Sequence, residues 1–285
     1  MTHFFKITLI IAFSFCFSFV NAQDQEPTKY TANNKGKFFI SWGGNRDSYS
    51  KSDIRFKGDN YDFTISDATA KDKPKGWHVD YINPANMTIP QTNFKIGYFL
   101  SDHYTISFGV DHMKYVMKRD KYRTVDGYID LPADELGSVY NGNFDNETLL
   151  ISSNFLKFEH TDGLNYVHTE IARYDDISSL FGIGNTDIFQ INITEGFGAG
   201  VLYPKTNTTL LQKERYDDFH ISGYGLSARV GLNFTFFKHF FIQLDAKGGF
   251  IDMNDIRTTS NTSEHAEQNF YFFERVIALG GIFRL

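Results

Sequence analysis

Phe219 to Asp252 reads FHISGYGLSARVGLNFTFFKHFFIQLDAKGGFID, and this stretch decides the fold. In steps of two, Tyr224, Leu226, Ala228, Val230, Leu232, Phe234 and Phe236 share one face. Gly223, Gly225, Ser227, Arg229, Gly231, Asn233 and Thr235 share the other. After Phe237-Lys238-His239 the alternation resumes, with Phe240, Ile242, Leu244 and Ala246 opposite Gln243, Asp245, Lys247 and Gly249. A side-chain period of two marks a strand, and two such runs about a tight turn make a hairpin. One face is apolar without a break, while the other carries glycines and charges. A strand with lipid on one side and a lumen on the other needs that division. The stretch predicts one hairpin of a transmembrane β-barrel.

The same alternation recurs outward from this hairpin. It predicts strands at Lys37–Asn45, Thr92–Leu100, Tyr104–Met117, Leu164–Tyr174, Ile188–Tyr203 and Asn269–Leu285, eight in all with the hairpin. Glu195 interrupts the apolar face of the fifth strand, where a bulge is expected. Connections near 101–103, 176–187 and 237–239 are short to medium, and those near 46–91, 118–163, 204–218 and 255–268 are longer. Strict alternation of short and long places the short turns in the periplasm and the long loops outside. Ile54–Ile65 (IRFKGDNYDFTI) reads as a hairpin rising above the membrane, and Leu149–Glu159 (LLISSNFLKFE) as a short helix or an extra strand. Counting both as spanning strands gives ten and breaks the alternation, so eight is preferred. Tyr98, Phe99, Tyr104, Phe236, Phe237, Phe240 and Phe241 gather near the periplasmic rim, as an interfacial girdle should.

Lys6, the apolar run Ile7–Val20 and the small-residue exit at Ala22 read as a signal peptide, cleaved after Ala22 or Gln23. Its core is shorter than the roughly 20 residues a spanning helix needs. The expected division is 1–22 signal peptide, 23–35 periplasmic leader and 36–285 barrel. The single cysteine, Cys16, lies inside the signal core, so the mature chain has no disulfide and no thiol chemistry. Aromatics reach 17%, with 30 Phe and 16 Tyr, a composition that suits lipid-facing strands. A secreted β-sandwich is the competing architecture. Loss of Lys6 leaves 27 basic against 34 acidic residues, a net charge of −7. With no basic stripe, nucleic acid is not an expected partner.

The chain ends Ile277-Ala278-Leu279-Gly280-Gly281-Ile282-Phe283-Arg284-Leu285. Together with the signal peptide and the eight alternating segments, it resembles the small eight-stranded outer-membrane barrels of Gram-negative bacteria, the OmpA- and OmpW-type proteins. Such barrels usually end in an alternating strand with a terminal aromatic that the assembly machinery reads. Here the aromatic is Phe283 and the last residue is Leu285. The resemblance spans the mature chain and implies an antiparallel up-and-down barrel in the outer membrane. It implies as partners the membrane lipid, lipopolysaccharide and the barrel-assembly machinery. No functional residue is carried over with it.

Inward phase collects Lys95, Asp111, His168, Glu170, Arg229, Asp245, Lys247 and Glu274. They read either as the lining of a narrow pore or as a plug of mutual salt bridges. Near-balance of sign favours the plug, because buried charges must pair and an eight-strand barrel is about filled by its own side chains. His112, His160 and His168, the last with Glu170, are the weak catalytic candidates. A lipid A acyl hydrolase of the PagL type sets a serine two residues from its histidine. Here Lys114 follows His112, Asp162 follows His160, and His168-Glu170 lacks a nucleophile. Gly58-Asp59-Asn60 with Asp62 lacks the spacing of a calcium loop, and Gly196–Gly200 lacks the Lys-Ser/Thr of a nucleotide loop. Neither metal nor cofactor is expected. The expected role is non-enzymatic, in the envelope or in surface interaction, and carried by the long loops. A narrow OmpW-like conduit for small apolar solutes ranks next, and an outer-leaflet hydrolase third. The surface ligand is not legible.

Overall fold

The computed structural model describes residues 34–76, 78 and 90–285; the signal segment and most of the leader lie outside them. Strand β1 (Phe38–Tyr49) continues after a kink into β2 (Ser52–Gly58), which turns into β3 (Tyr61–Ala68) and the short β4 (Ala70–Lys71). A tight turn joins β5 (Thr92–Phe99) to β6 (Tyr104–Met117), and β6 runs on into β7 (Lys121–Ile129). The chain returns through β8 (Gly142–Ile151) into the long β9 (Leu156–Asp176). Then come β10 (Phe189–Leu202), β11 (Asn207–Leu210), the hairpin β12 (Gly223–Phe236) and β13 (Phe240–Arg257), and β14 (His265–Phe283).

Eight strands form a closed antiparallel ring in the order β1-β5-β6-β9-β10-β12-β13-β14. The ring shuts where β1 pairs with β14, Phe38 against Phe283 and Tyr49 against Phe272. One row of register partners runs Tyr49, Phe272, Gly249, Ser227, Gly198, Glu170, Ser107, Gly97 and returns to β1 at Phe39. Tyr49 to Phe39 is a stagger of ten residues. Eight strands with that stagger tilt by about 40° and enclose little more than their own side chains.

Outside, the ring is apolar. Ile40, Ile96, Ile106, Phe108, Ile171, Ile193, Phe197, Val230, Leu232, Leu244, Ile277 and Leu279 are all exposed. Aromatic pairs border this band. Phe38–Tyr98 (4.9 Å) and Phe189–Phe236 (5.0 Å) lie at the end with the short turns. Tyr203–Phe219 (5.2 Å) and Phe250–Tyr271 (5.3 Å) lie at the end with the long loops. The strand rise and tilt set the two belts about 25 Å apart, the height of a lipid-facing band. No helix among the described residues is long and apolar enough to cross a membrane. The crossing is made by strands.

Above the upper belt the long loops are themselves folded. A branch β2-β3-β7-β8 extends from β14, β4 adds to β6, and β11 adds to β9. This tier has its own apolar core, with Ile54, Phe56, Phe63, Ile65, Phe155, Phe158, Met253 and Phe270 fully or nearly fully buried. Phe56 and Phe63 face each other across the β2–β3 pair with ring centroids 5.3 Å apart.

Several expectations need correction. The register is unbroken at Glu195, which pairs with Val230 on one side and Arg173 on the other, so there is no bulge there. The outward glutamate has an arginine as its cross-strand neighbour, and that removes the need to turn it away. Register shifts occur instead at Ser52/Ile54, Met113/Tyr115, Val125/Gly127 and Met253/Ile256, within the tier or at its base. Leu149–Glu159 is neither a helix nor a spanning strand; it joins the end of β8 to the start of β9 through a turn at 152–155. The first strand runs on past Asn45 to Tyr49. Phe99 and Phe241 leave the rim girdle and point into the lumen.

Candidate functional site

Three stacked layers fill the interior of the ring. The floor, at the short-turn end, is apolar: Phe39, Phe99, Ala172, Tyr174, Phe241 and Ile282. Phe99 meets Phe39 edge-on at 5.6 Å and Tyr174 at 5.5 Å. The rings of Phe39 and Phe241 lie flat over Gly97 and Gly280, where any Cβ would collide with them. Those two glycines allow the floor to close.

The middle layer holds the inward charges. Arg229 donates through Nε to Glu170 (2.9 Å) and through Nη1 to Asp245 (3.0 Å) and Thr194 Oγ1 (2.9 Å). Lys95 Nζ also donates to Glu170, at 2.9 Å. Lys247 is in contact with Asp111 and lies 3.5 Å from Glu274. Asn93 links the same two acids, donating to Asp111 (2.7 Å) and Glu274 (2.8 Å). His168 stacks on Tyr166 at 4.7 Å, with Nε2 3.1 Å from Asp111. The eight inward residues named from sequence thus fall into two bonded groups, Arg229-Glu170-Lys95-Asp245 and Lys247-Asp111-Glu274-His168, and members of both line a common cavity. Asp47 was not among them. It faces Glu274 across the β1–β14 seam and accepts from Gln91 at 2.8 Å. With Asp47 the layer has five carboxylates to three fixed cations, and the side-chain amides of Gln91, Asn93 and Gln243 supply further donors. A cavity between floor and charges measures about 20 Å³, room for a single water.

The third layer is the base of the tier core. Tyr166, Leu202, Ile251 and Phe272 lie directly over the charges and continue into Phe270 and Tyr115 above. Among the described residues, apolar floor, charged middle and apolar cap are thus stacked along the interior of the ring.

The histidines do not assemble a catalytic set. His112 Nδ1 lies 2.7 Å from Asn165 Oδ1. His160 Nδ1 lies 2.9 Å from Thr206 Oγ1, and its ring is wedged between Phe158 (5.0 Å) and Tyr115 (5.5 Å). Burial pushes its pKa down to about 3. Among the described residues no histidine ring meets a serine hydroxyl, and none of these three is open to a lipid substrate.

At the apex a cleft of about 390 Å³ opens to solvent between the tips near 135, 213–216 and 259–264. Lys213 ties the tips together, 3.1 Å from Glu135 and 2.5 Å from Glu264. Burial works against its charge, but hydrogen bonding and attraction from Glu264 and Glu135 outweigh it and raise the pKa. Sequence reading missed this contact because the three residues lie in separate polar loops.

Closed ring, filled lumen and two aromatic belts define an eight-stranded antiparallel barrel of the outer-membrane kind. No family model matches the chain, and no curated protein matches it in sequence. Among solved structures it is similar to the outer membrane protein OprG of Pseudomonas aeruginosa, at 12% identity over 89% of this chain and 99% of that one, with a TM-score of 0.35. The outer membrane protease OmpT of Escherichia coli gives 11%, 90%, 100% and 0.35. The attachment invasion locus protein Ail of Yersinia pestis gives 11%, 86%, 99% and 0.29.

Proposed function

We propose that the barrel is a closed anchor and that its folded outer tier is the working surface, used for non-enzymatic interaction at the cell exterior. The observation that carries this reading is the filled lumen. A conduit needs a path, and among the described residues an apolar floor, a salt-bridged middle and an apolar cap are stacked along the interior. What the chain offers to its surroundings is the tier. Its outer face carries the exposed cross-strand pair Tyr122–Leu150 and the exposed Tyr128. Its last strand, β8, pairs on one side with β7 and ends the sheet on the other among the described residues. Free strand edges and exposed aromatics are common docking features.

The test is a planar bilayer recording on the refolded mature chain, run beside mass analysis of lipid A from cells that express it. A silent bilayer and unchanged lipid A masses are the expected results. Unitary conductance steps would overturn the closed anchor, and a lipid A species short of an acyl chain would overturn the non-enzymatic role.

A further inference from the structure

Two short runs of cations lie side by side where β6 leaves the ring. Ala70-Lys71-Asp72-Lys73 keeps the strand period of two at β4. Lys71 is the register partner of Val116 on β6, and both Lys71 and Lys73 are exposed. Asp72 turns the other way, and its carboxylate accepts from Gln91 Nε2 (2.6 Å) and from the Asp47 backbone N–H (3.0 Å). Alternation thus parts the two lysines from the acid between them. The chain leaves β6 through Lys118-Arg119, both exposed, and the Lys118 N–H donates to the Thr69 carbonyl at 2.8 Å. That bond holds the second run against the first. Among the described residues, none of these four side chains has an ion pair or hydrogen bond. Exposed Lys51, by contrast, lies 3.2 Å from Asp67. Asp120, which follows Arg119, is the nearest acid in sequence, and it leaves most of the charge uncancelled.

Their height follows from β6, which starts at Tyr104 by the lower belt. At a tilt of about 40° each residue climbs about 2.5 Å, so Val116 stands about 30 Å above Tyr104 and Lys118 about 35 Å. With the upper belt at about 25 Å, Lys71 lies just above it, Lys73 level with it, and Lys118 and Arg119 roughly 10 Å beyond. Headgroups occupy that interval, past the hydrocarbon edge. Directly below, Ile96 of β5 and Phe108 of β6 are register partners, and both are exposed on the lipid-facing side. A lipid whose chains lie on this strip brings its headgroup to the four cations.

We propose that Lys71, Lys73, Lys118 and Arg119 form a binding site for the phosphates of an outer-leaflet lipid, whose acyl chains lie along Ile96 and Phe108. The guanidinium of Arg119 fits phosphate oxygens two at a time, and the lysines act as point charges. The spread of the cations over roughly 10 Å of height suits a headgroup with more than one phosphate. The apolar strip beneath distinguishes a lipid from a free anion. The site rests on the reading above in one respect, that the long-loop end faces the cell exterior.

Native mass spectrometry of the detergent-refolded protein tests this with three probes: bisphosphorylated lipid A, the same lipid dephosphorylated, and inorganic phosphate. The expected result is about tenfold better retention of the phosphorylated lipid, worth about 1.4 kcal/mol. Changing Lys71, Lys73, Lys118 and Arg119 together to Gln should lower it to the level of the dephosphorylated lipid, and Lys51→Gln should leave it unchanged. Equal retention by the fourfold variant, or displacement of the lipid by equimolar inorganic phosphate, would overturn the site. Gel mobility with and without boiling, run on each sample, separates loss of the site from loss of the barrel. Orientation is read separately. Cys16 is the only cysteine of the chain, so Ser260→Cys at the exposed apex gives one target for a membrane-impermeant maleimide on intact cells. Labelling is expected. Its absence would overturn the outward-facing tier and this site together, whereas labelling with no preference for the phosphorylated lipid would overturn the site alone.

Discussion

Arg229 carries the middle layer. It holds Glu170, Asp245 and Thr194 from a buried position, so its removal leaves them without that donor and away from bulk water. Arg229→Met leaves two carboxylates short of a cation and should cost about 3–5 kcal/mol, read as the shift in urea unfolding in detergent at neutral pH. A loss below about 1 kcal/mol would show that the network is not what fixes the lumen. His160, above the membrane, gives a pH signature. Burial holds its folded pKa at about 3, whereas the free imidazole titrates near 6.5. Between those values the unfolded chain binds a proton that the folded chain refuses. Stability is therefore full above about pH 6.5 and falls as pH drops toward 3. His160→Gln should flatten part of that fall between pH 7 and pH 4.5. Parallel pH curves for variant and wild type would refute the assignment.

At the scale of the strand, the two faces of β12 make opposite demands. Leu232 faces lipid, and Leu232→Arg should cost about 2–4 kcal/mol if it lies near the midplane. Gly231 faces the lumen, where a Cβ would run into the Asp245 carboxylate and the Leu244 carbonyl. Gly231→Ala should cost about 1–3 kcal/mol through crowding. Unfolding curves that barely move for either variant would count against a membrane strand. The same two demands explain what was legible in sequence. Where lipid meets one face, alternation is enforced, and β6 was read at Tyr104–Met117, with its observed ends. In the tier no lipid enforces it. Strand β8, GNFDNETLLI, buries only Ile151 fully, and β7 buries only Val125 and Ile129, so neither shows a clean period. The inward phase of Lys95, Asp111, Glu170, Arg229, Asp245, Lys247 and Glu274 was legible for the same reason as β6. Their partners were not, because the ten-residue stagger decides which residues share a level. Asp47 was lost by ending the first strand at Asn45, although Ser41, Gly43, Asn45 and Asp47 keep step.

At the scale of the whole molecule, the described residues form one ring with a folded tier above it, and the first global test is electrophoretic. A closed transmembrane barrel resists detergent until heated, so the refolded mature chain should change mobility on boiling. A chain soluble without detergent and with no shift would instead be a secreted sandwich. Beyond stability, the seam between β1 and β14 has a consequence in time. Phe38 pairs with Phe283, so the first strand to leave the ribosome waits for the last. Non-local pairing of this kind is slow to find, and an unpaired edge is open to any other strand in the meantime. Until the seam shuts, Asp47 and Glu274 have no common interior, and Lys247 has only part of its countercharge. Half-made intermediates would present ionised groups to lipid. Closure of the seam is therefore expected to come last, and both strand edges need shielding from other chains until they meet.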